Sequence, residues 1–271
     1  MPSSTPAARP RPRKRFGQHF LVQLGVARRI VALAELGPTT NVLEIGPGMG
    51  VLTRLLAGVS AHLWAIEVDR DLAGLLRNEF ADQPHVHIVE ADALTVDFGT
   101  LLRPYVPVAV VANLPYNIAT PLLLKLLAAA DLFSHMVLML QREVVARLCA
   151  LPGSKAYGSL SVAVQLAAEV QTGFGVGPAA FAPRPKVDSA VVVVRPHRPP
   201  RVTAPEREQI ERVVRTVFEQ RRKQLGNSLQ RVVPDAGKVL AAVGIDPRRR
   251  PETLSVDDFV RLTRAVAAAA G

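Results

Sequence analysis

Residues 41–57 read NVLEIGPGMGVLTRLLA. The apolar run over 41–46 predicts a short strand, Gly46, Gly48 and Gly50 predict a tight turn, and 50–57 carries a helical pattern. The same alternation recurs on either side. Further strands are expected at 62–68 (HLWAIEV), 86–91 (VHIVEA), 108–113 (VAVVAN) and 135–140 (HMVLML), with helices at 24–36, 70–80, 120–129 and 141–150. Strands alternating with helices point to a parallel sheet with crossover helices, an α/β fold. Trp64 falls inside the second strand and is expected in the core. SAVVVVRP (189–196) is a strand with no room for a crossover after it. It is expected to form an antiparallel edge hairpin with a partner near 168–176. RPHRPPRVTAP (195–205) then reads as a linker. Helical patterns near 206–219, 222–232, 235–243 and 255–268, the last capped by Ser255, make a small all-helical domain.

The 271 residues suffice for a large α/β domain plus a smaller one, and an apolar content of 49% supports a sizeable core. No run of about 18 apolar residues suggests a membrane span. The start, MPSSTPAARPRPRKRFG, lacks the apolar run of a secretory signal. It is Arg-rich and free of acids, as a transit peptide is, but its prolines oppose the amphipathic helix such peptides form. The single cysteine, Cys149, has no partner in the chain, which suits a reducing cytoplasm, and its helical setting predicts a buried structural thiol. His85 and His87 share one face of a strand but lack the further ligands a metal needs, so no metal is expected there.

The net charge of +10 is unevenly spread. Residues 1–18 carry five basic residues and no acid, 19–194 carry 12 basic and 14 acidic, and 195–271 carry 16 basic and nine acidic. The middle resembles an ordinary enzyme domain, whereas both ends suit a polyanion, and nucleic acid leads over a small acidic ligand.

Ligands of open parallel sheets sit outside the carboxyl ends of the strands. Here the first strand ends in Gly46, Gly48 and Gly50, the second in Glu67 and Asp69, the third in Asp92, and the fourth in Asn113, Leu114, Pro115 and Tyr116. The G-x-G-x-G spacing departs from the dinucleotide pattern, although bare backbone still admits a ligand closely. Glu67 lies where an acid accepts from ribose hydroxyls, and Asp92 where an adenine amino group is read. Two acids disfavour a pyrophosphate. S-adenosylmethionine, with ribose, adenine and a sulfonium, fits better than NAD.

VVANLPYNIATP (110–121) begins as a buried strand and then breaks off into an amide, a proline and a phenol. The exocyclic nitrogen of adenine is a weak nucleophile because its lone pair is delocalised into the ring. Acceptors on its two hydrogens would localise that pair. Asn113 offers a side-chain carbonyl, Leu114 a backbone carbonyl, and Tyr116 a face for the base to stack on. Phe181, in the Pro-punctuated stretch AAFAPRPK, is the expected opposite wall of a flipped-base pocket. Positioning and electrostatics should dominate over general base catalysis.

Seven stretches in order resemble one family: RKRFGQHFL (13–21), EIGPGMG (44–50), ANLPYNI (112–118), SKAYGSLSV (154–162), FAPRPKVDSAVV (181–192), RRKQLGNSL (221–229) and PETLSVDDF (251–259). They are similar to the small-subunit rRNA adenine N6,N6-dimethyltransferases. The resemblance implies a Rossmann-like class I methyltransferase domain at 16–196 and a helical rRNA-binding domain at 197–271, and the acid-free start is expected to be a basic flexible tail at 1–15. It also implies dimethylation of two adjacent adenosines in a hairpin near the 3′ end of 16S rRNA, in the immature 30S subunit, by a cytoplasmic monomer. The cofactor contacts implied are His19, Leu21, Gly46, Glu67, Asp92 and Asn113, with His19 a contact and not a base. The target base would lie between Tyr116 and Phe181. Arg221, Arg222 and Lys223 are candidate phosphate contacts. Gly226 departs from the family, which often has a basic or larger residue there. Rivals are the related 23S rRNA methyltransferases of macrolide resistance, an assembly factor that binds small subunits without catalysis, a mitochondrial transcription factor relative, and a DNA amino-methyltransferase.

Overall fold

The computed structural model describes residues 18–221 and 223–270; the expected tail at 1–15 and Arg222 lie outside the described residues. Contacts divide the described chain into two compact units. One comprises the residues up to Arg142 together with Thr172–Val194, and the other Glu143–Gln171 with the residues from Arg195 onward.

The first unit is an α/β layer structure. Its elements are β1 (Phe20–Leu21), α1 (Leu24–Leu33), β2 (Asn41–Ile45), α2 (Val51–Ala57), β3 (His62–Glu67), α3 (Arg70–Glu79), β4 (Val86–Glu90), α4 (Phe98–Leu102), β5 (Val108–Asn113), α5 (Ala119–Ala128) and β6 (Phe133–Gln141). In chain order α6 (Arg142–Leu148) and α7 (Ser159–Ala167) come next and belong to the second unit; β7 (Ala168–Val176), β8 (Phe181–Ala182) and β9 (Ser189–Pro196) then lead back into the first. The seven-stranded sheet has the order β4-β3-β2-β5-β6-β9-β7. β2 pairs in parallel with β3 and β5, β3 with β4, and β5 with β6, whereas β9 runs antiparallel to β6. The expected hairpin partner is therefore present as β7, and it is β7, not β9, that takes the sheet edge.

Strands covered on both faces can be apolar throughout, and Val108–Ala112 are all buried, as are Met136–Leu140. Asp69 caps α3, its carboxylate accepting from the Asp71 amide at 3.1 Å. At the amino ends of the strands, the buried Trp64 ring sits 5.1 Å from His87 and 4.5 Å from Tyr105, with His62 beside it. A second, two-stranded sheet joins distant parts of the chain: β1 pairs antiparallel with β8, setting Phe20 opposite Ala182 and Leu21 opposite Phe181.

The second unit is helical. Its later helices are α8 (Ala204–Glu219), α9 (Leu225–Leu229), α10 (Ala236–Ala242) and α11 (Val256–Ala270). α8 begins with a reciprocal cap, in which the Glu206 amide donates to Thr203 Oγ1 and the Thr203 amide to Glu206 Oε2. Ser255 and Asp258 cap α11 in the same way. Ile210, Val213, Val214 and Val217 form the buried stripe of α8, packed with Tyr157, Leu166 and Phe259. Residues of 143–171, among them Ala150, Tyr157 and Val162, thus share a core with the C-terminal helices. The expected helix at 222–232 is shorter, since only Leu225–Leu229 is helical. Gly226 has a packing reason: a Cβ there would stand 3.1 Å from Pro247 Cβ, and its amide donates to the Pro247 carbonyl at 2.9 Å. Cys149, expected buried, is half-buried just past the end of α6.

Candidate active site

The carboxyl ends of β2, β3, β4 and β5 open onto one cavity of about 260 Å³. His19, Leu21, Gly46, Glu67, Asp92, Asn113, Leu114 and Tyr116 all line it. Phe181 does not. Its ring is 2% exposed and packed in the core, and only its backbone reaches toward the site, through the pairing with Leu21.

Each lining group is held by identifiable local chemistry. Gly46, Gly48 and Gly50 have φ of 69°, 57° and 74°, the left-handed region that glycine adopts without strain. At Gly48 the absent side chain also makes room: a Cβ would come within 2.8 Å of the Phe20 ring. The Gly48 amide donates to Glu67 Oε2 at 3.0 Å, and the Asp69 amide to Glu67 Oε1 at 2.9 Å. These two bonds aim the carboxyl of Glu67, while burial pushes its pKa up from the usual carboxylate range. Asp92 is exposed at the rim, where its Oδ1 accepts from the Leu94 amide at 2.9 Å.

The segment from 18 to 21 is tied down twice. His19 Nδ1 lies 2.8 Å from the Pro183 carbonyl, which can only accept, so Nδ1 carries the proton. Asn113 Nδ2 donates to the His19 carbonyl at 3.3 Å. With its N–H engaged there, the amide of Asn113 keeps Oδ1 as an acceptor. The Leu114 amide is taken by the Met139 carbonyl at 3.2 Å. Tyr116 is half-buried, its hydroxyl 2.6 Å from Ser189 Oγ and its ring 5.5 Å from that of His19. Burial raises the Tyr116 pKa, so at neutral pH it is a phenol and no base.

Two functional candidates escape sequence reasoning. Glu44, inside β2, is 1% exposed and lines the cavity floor. Lys125 on α5 donates from Nζ to the carbonyls of Ala93, Leu94 and Val96, at 3.0, 2.7 and 2.6 Å. It thereby ties the Asp92 loop to the helix that follows Asn113–Tyr116. In sequence Glu44 is one acid in a strand and Lys125 one cation on a helix. Lys125 carries no spacing signal, and Glu44, although it opens the EIGPGMG stretch, reads there as a strand residue.

The lining suits the group expected from the sequence. Among the described lining residues there are three carboxylates and neither lysine nor arginine. That excludes a good phosphate site and favours a ligand with positive charge. Bare backbone at Gly46 and Gly48, two carboxylates for hydroxyl and amino groups, and the buried, unpartnered Glu44 Oε2 fit S-adenosylmethionine.

Comparison with known proteins agrees. The model of the family described as "Ribosomal RNA adenine dimethylase" matches residues 10–268. The chain is 49% identical over 256 residues to a Nitrosococcus oceani protein named "Ribosomal RNA small subunit methyltransferase A", covering 94% of this chain and 96% of that one. A Geobacter sulfurreducens protein of the same name is 48% identical over 268 residues, covering 96% and 97%. Among solved structures, a dimethyladenosine transferase from Plasmodium falciparum is similar with a TM-score of 0.76 and 25% identity, covering 90% of this chain and 96% of that one. The 23S rRNA methyltransferase ErmE is similar with a TM-score of 0.70 and 28% identity, covering 92% and 99%.

Proposed function

The chain belongs to the ribosomal RNA adenine dimethylase family, and from that premise we propose that it dimethylates N6 of two adjacent adenosines in a hairpin near the 3′ end of 16S rRNA. It is an S-adenosylmethionine-dependent methyltransferase. Its substrate form is the immature 30S subunit, and it acts as a cytoplasmic monomer. No helix among the described residues is long and apolar enough to cross a membrane.

One observation carries this reading. The amide of Asn113 is oriented by its bond to the His19 carbonyl, so Oδ1 is an acceptor in a cavity whose other walls are acids and bare glycine backbone. When bound, S-adenosylmethionine supplies a methyl group on a sulfonium, already a good leaving group. Glu67 and Asp92 would hold its ribose hydroxyls and adenine amino group, and His19, Leu21 and Gly46 would line the rest of its site. Asn113 Oδ1 and the Leu114 carbonyl accept from the target amino group and aim its lone pair. Tyr116 gives the flipped base a stacking face, fixed by its hydroxyl bond to the buried Ser189. Phe181 forms the second wall only after its ring turns out of the core, a change that RNA binding would drive. With no base required, the proton leaves to solvent after transfer. Arg221, Arg222 and Lys223 contribute phosphate contacts, and the tail at 1–15 adds charge.

The nearest alternative is methylation of 23S rRNA, which the likeness to ErmE favours. The higher identity to proteins named for the small subunit favours 16S rRNA. The test is transfer of labelled methyl to unmethylated small subunits, with large subunits and duplex DNA alongside and nucleoside mass spectrometry of the products. Dimethyladenosine confined to 16S rRNA is the expected result. Label in 23S rRNA would move the protein to the rival target. Tight small-subunit binding without label would make it an assembly factor.

A further inference from the structure

Glu44 is the cavity acid that receives no backbone N–H and has one oxygen, Oε2, unpaired. It lies in β2 beside Ala65 of β3, in the interior of the parallel sheet, and lines the cavity at 1% exposure. Its Oε2 lacks a well-formed hydrogen bond; the Thr53 hydroxyl, on α2, is the side-chain donor beside the carboxyl and favours its ionised form, but does not outweigh burial. The contrast with Glu67, which receives two backbone N–H groups, is direct. The charged and titratable groups that face Glu44 are Arg54 from α2 and Glu67 from β3. Arg54 is already engaged, donating through Nη2 to Glu79 Oε2 at 2.7 Å and through Nη1 to the Met49 carbonyl at 2.9 Å. On the other side, β5 presents Val110 and Val111, which titrate nowhere.

We propose that Glu44 senses the charge of the cofactor: it releases its proton when the cationic methyl donor enters and regains one when the demethylated product is bound or leaves. The O–H bond of the carboxyl breaks, the electron pair stays on oxygen, and the proton passes to solvent. S-adenosylmethionine carries one net positive charge more than S-adenosylhomocysteine, so an ionised Glu44 favours the former and promotes product release. Burial supports this by pushing the Glu44 pKa up to about 8, so the group is mostly a neutral acid near pH 7 before a cation arrives. The inference rests on the reading that this cavity holds the methyl donor.

The test is titration calorimetry of the full chain at pH 7 in buffers of different ionisation enthalpy. Wild type should release close to one proton per S-adenosylmethionine bound and distinctly fewer per S-adenosylhomocysteine. Glu44→Gln should abolish the release and cut the preference for S-adenosylmethionine about tenfold, the equivalent of one pKa unit. If that variant fails to fold, carbon-13 NMR of glutamate carboxyls in wild type replaces it. One carboxyl titrating near pH 8 should then move below pH 7 on adding S-adenosylmethionine. Binding without proton release, or equal release from Glu44→Gln, overturns the inference and leaves the cofactor reading intact; in the second case Glu67 is the source. Absence of saturable binding heat overturns both.

Discussion

Both compact units pair exposed carboxylates with arginines, but only one of them buries carboxylates. Among the described residues, Glu44, Glu67 and Asp69 are the buried ones, all in the α/β unit, and two of them line the cavity. In the helical unit the acids stay near the surface and face arginines: Glu219 with Arg231 at 2.8 Å, Asp246 with Arg248 at 3.0 Å, Glu206 with Arg264 at 3.1 Å, and Asp257 with Arg201. An exposed pair contributes little and is screened by salt. Burying a carboxylate costs stability, and at Glu44 and Glu67 that cost is consistent with a site kept ready for a charged ligand. Acid content alone therefore says nothing about role; the depth and the partner do.

Acid-to-amide substitutions test this contrast on both sides. The largest effect is expected at Glu44. Its pKa lies higher folded than unfolded, so its contribution to stability is full below about pH 4.5 and is lost as pH rises through about 8. Wild type should lose about 3 kcal/mol between pH 5 and pH 8 from this group, and urea unfolding of Glu44→Gln should show that slope removed. An unchanged slope would mean that Glu44 is not the buried acid the structure describes.

Glu67→Gln comes next. The amide offers one acceptor to two backbone donors, leaving one of them buried and unpaired, at about 1–3 kcal/mol. Affinity for S-adenosylmethionine should fall roughly 100-fold by calorimetry. A loss below threefold would erase the difference between the units.

Lys125→Gln tests whether the cavity acids need a brace. The shorter side chain cannot reach three carbonyls, so S-adenosylmethionine should bind about tenfold more weakly, with Lys125→Arg recovering part of the loss. The turnover number under saturating cofactor should change little, since the chemistry is carried by Asn113 and Leu114.

Glu219→Gln is the smallest. Stability should stay within about 0.5 kcal/mol of wild type and cofactor affinity should not move. Any large change there would place a hidden function in the helical unit.

Much of the fold was legible because buried parallel strands announce themselves as unbroken apolar runs. VAVVAN and HMVLML are strands β5 and β6 within a few residues. Helix α7, SLSVAVQLA, was not, since an apolar stretch with so few polar positions shows no period to read. β1 and β8 are two residues each and exist only through each other, so no local pattern marks them. The site was legible in residue type but not in direction. Asn113 and Phe181 stand out equally beside prolines in the sequence. Yet one side chain opens into the cavity and the other is turned into the core. Lys125 was illegible for the opposite reason. Its partners are backbone carbonyls, which any sequence has.

The tie between the His19 segment and the Pro183 stretch also has a meaning in time. The partners are 164 residues apart, whereas every residue lining the cavity lies at or before Ile118. At synthesis rates of about 5–20 residues per second, Pro183 follows His19 from the ribosome by on the order of ten to thirty seconds. The acid-lined floor, with the Asn113 bond to the His19 carbonyl, is thus available on the nascent chain well before the second tie of its rim, to Pro183, can form. A polypeptide interrupted between Ile118 and Pro183 would carry the floor of a methyl-donor site with only one of the two ties on its rim.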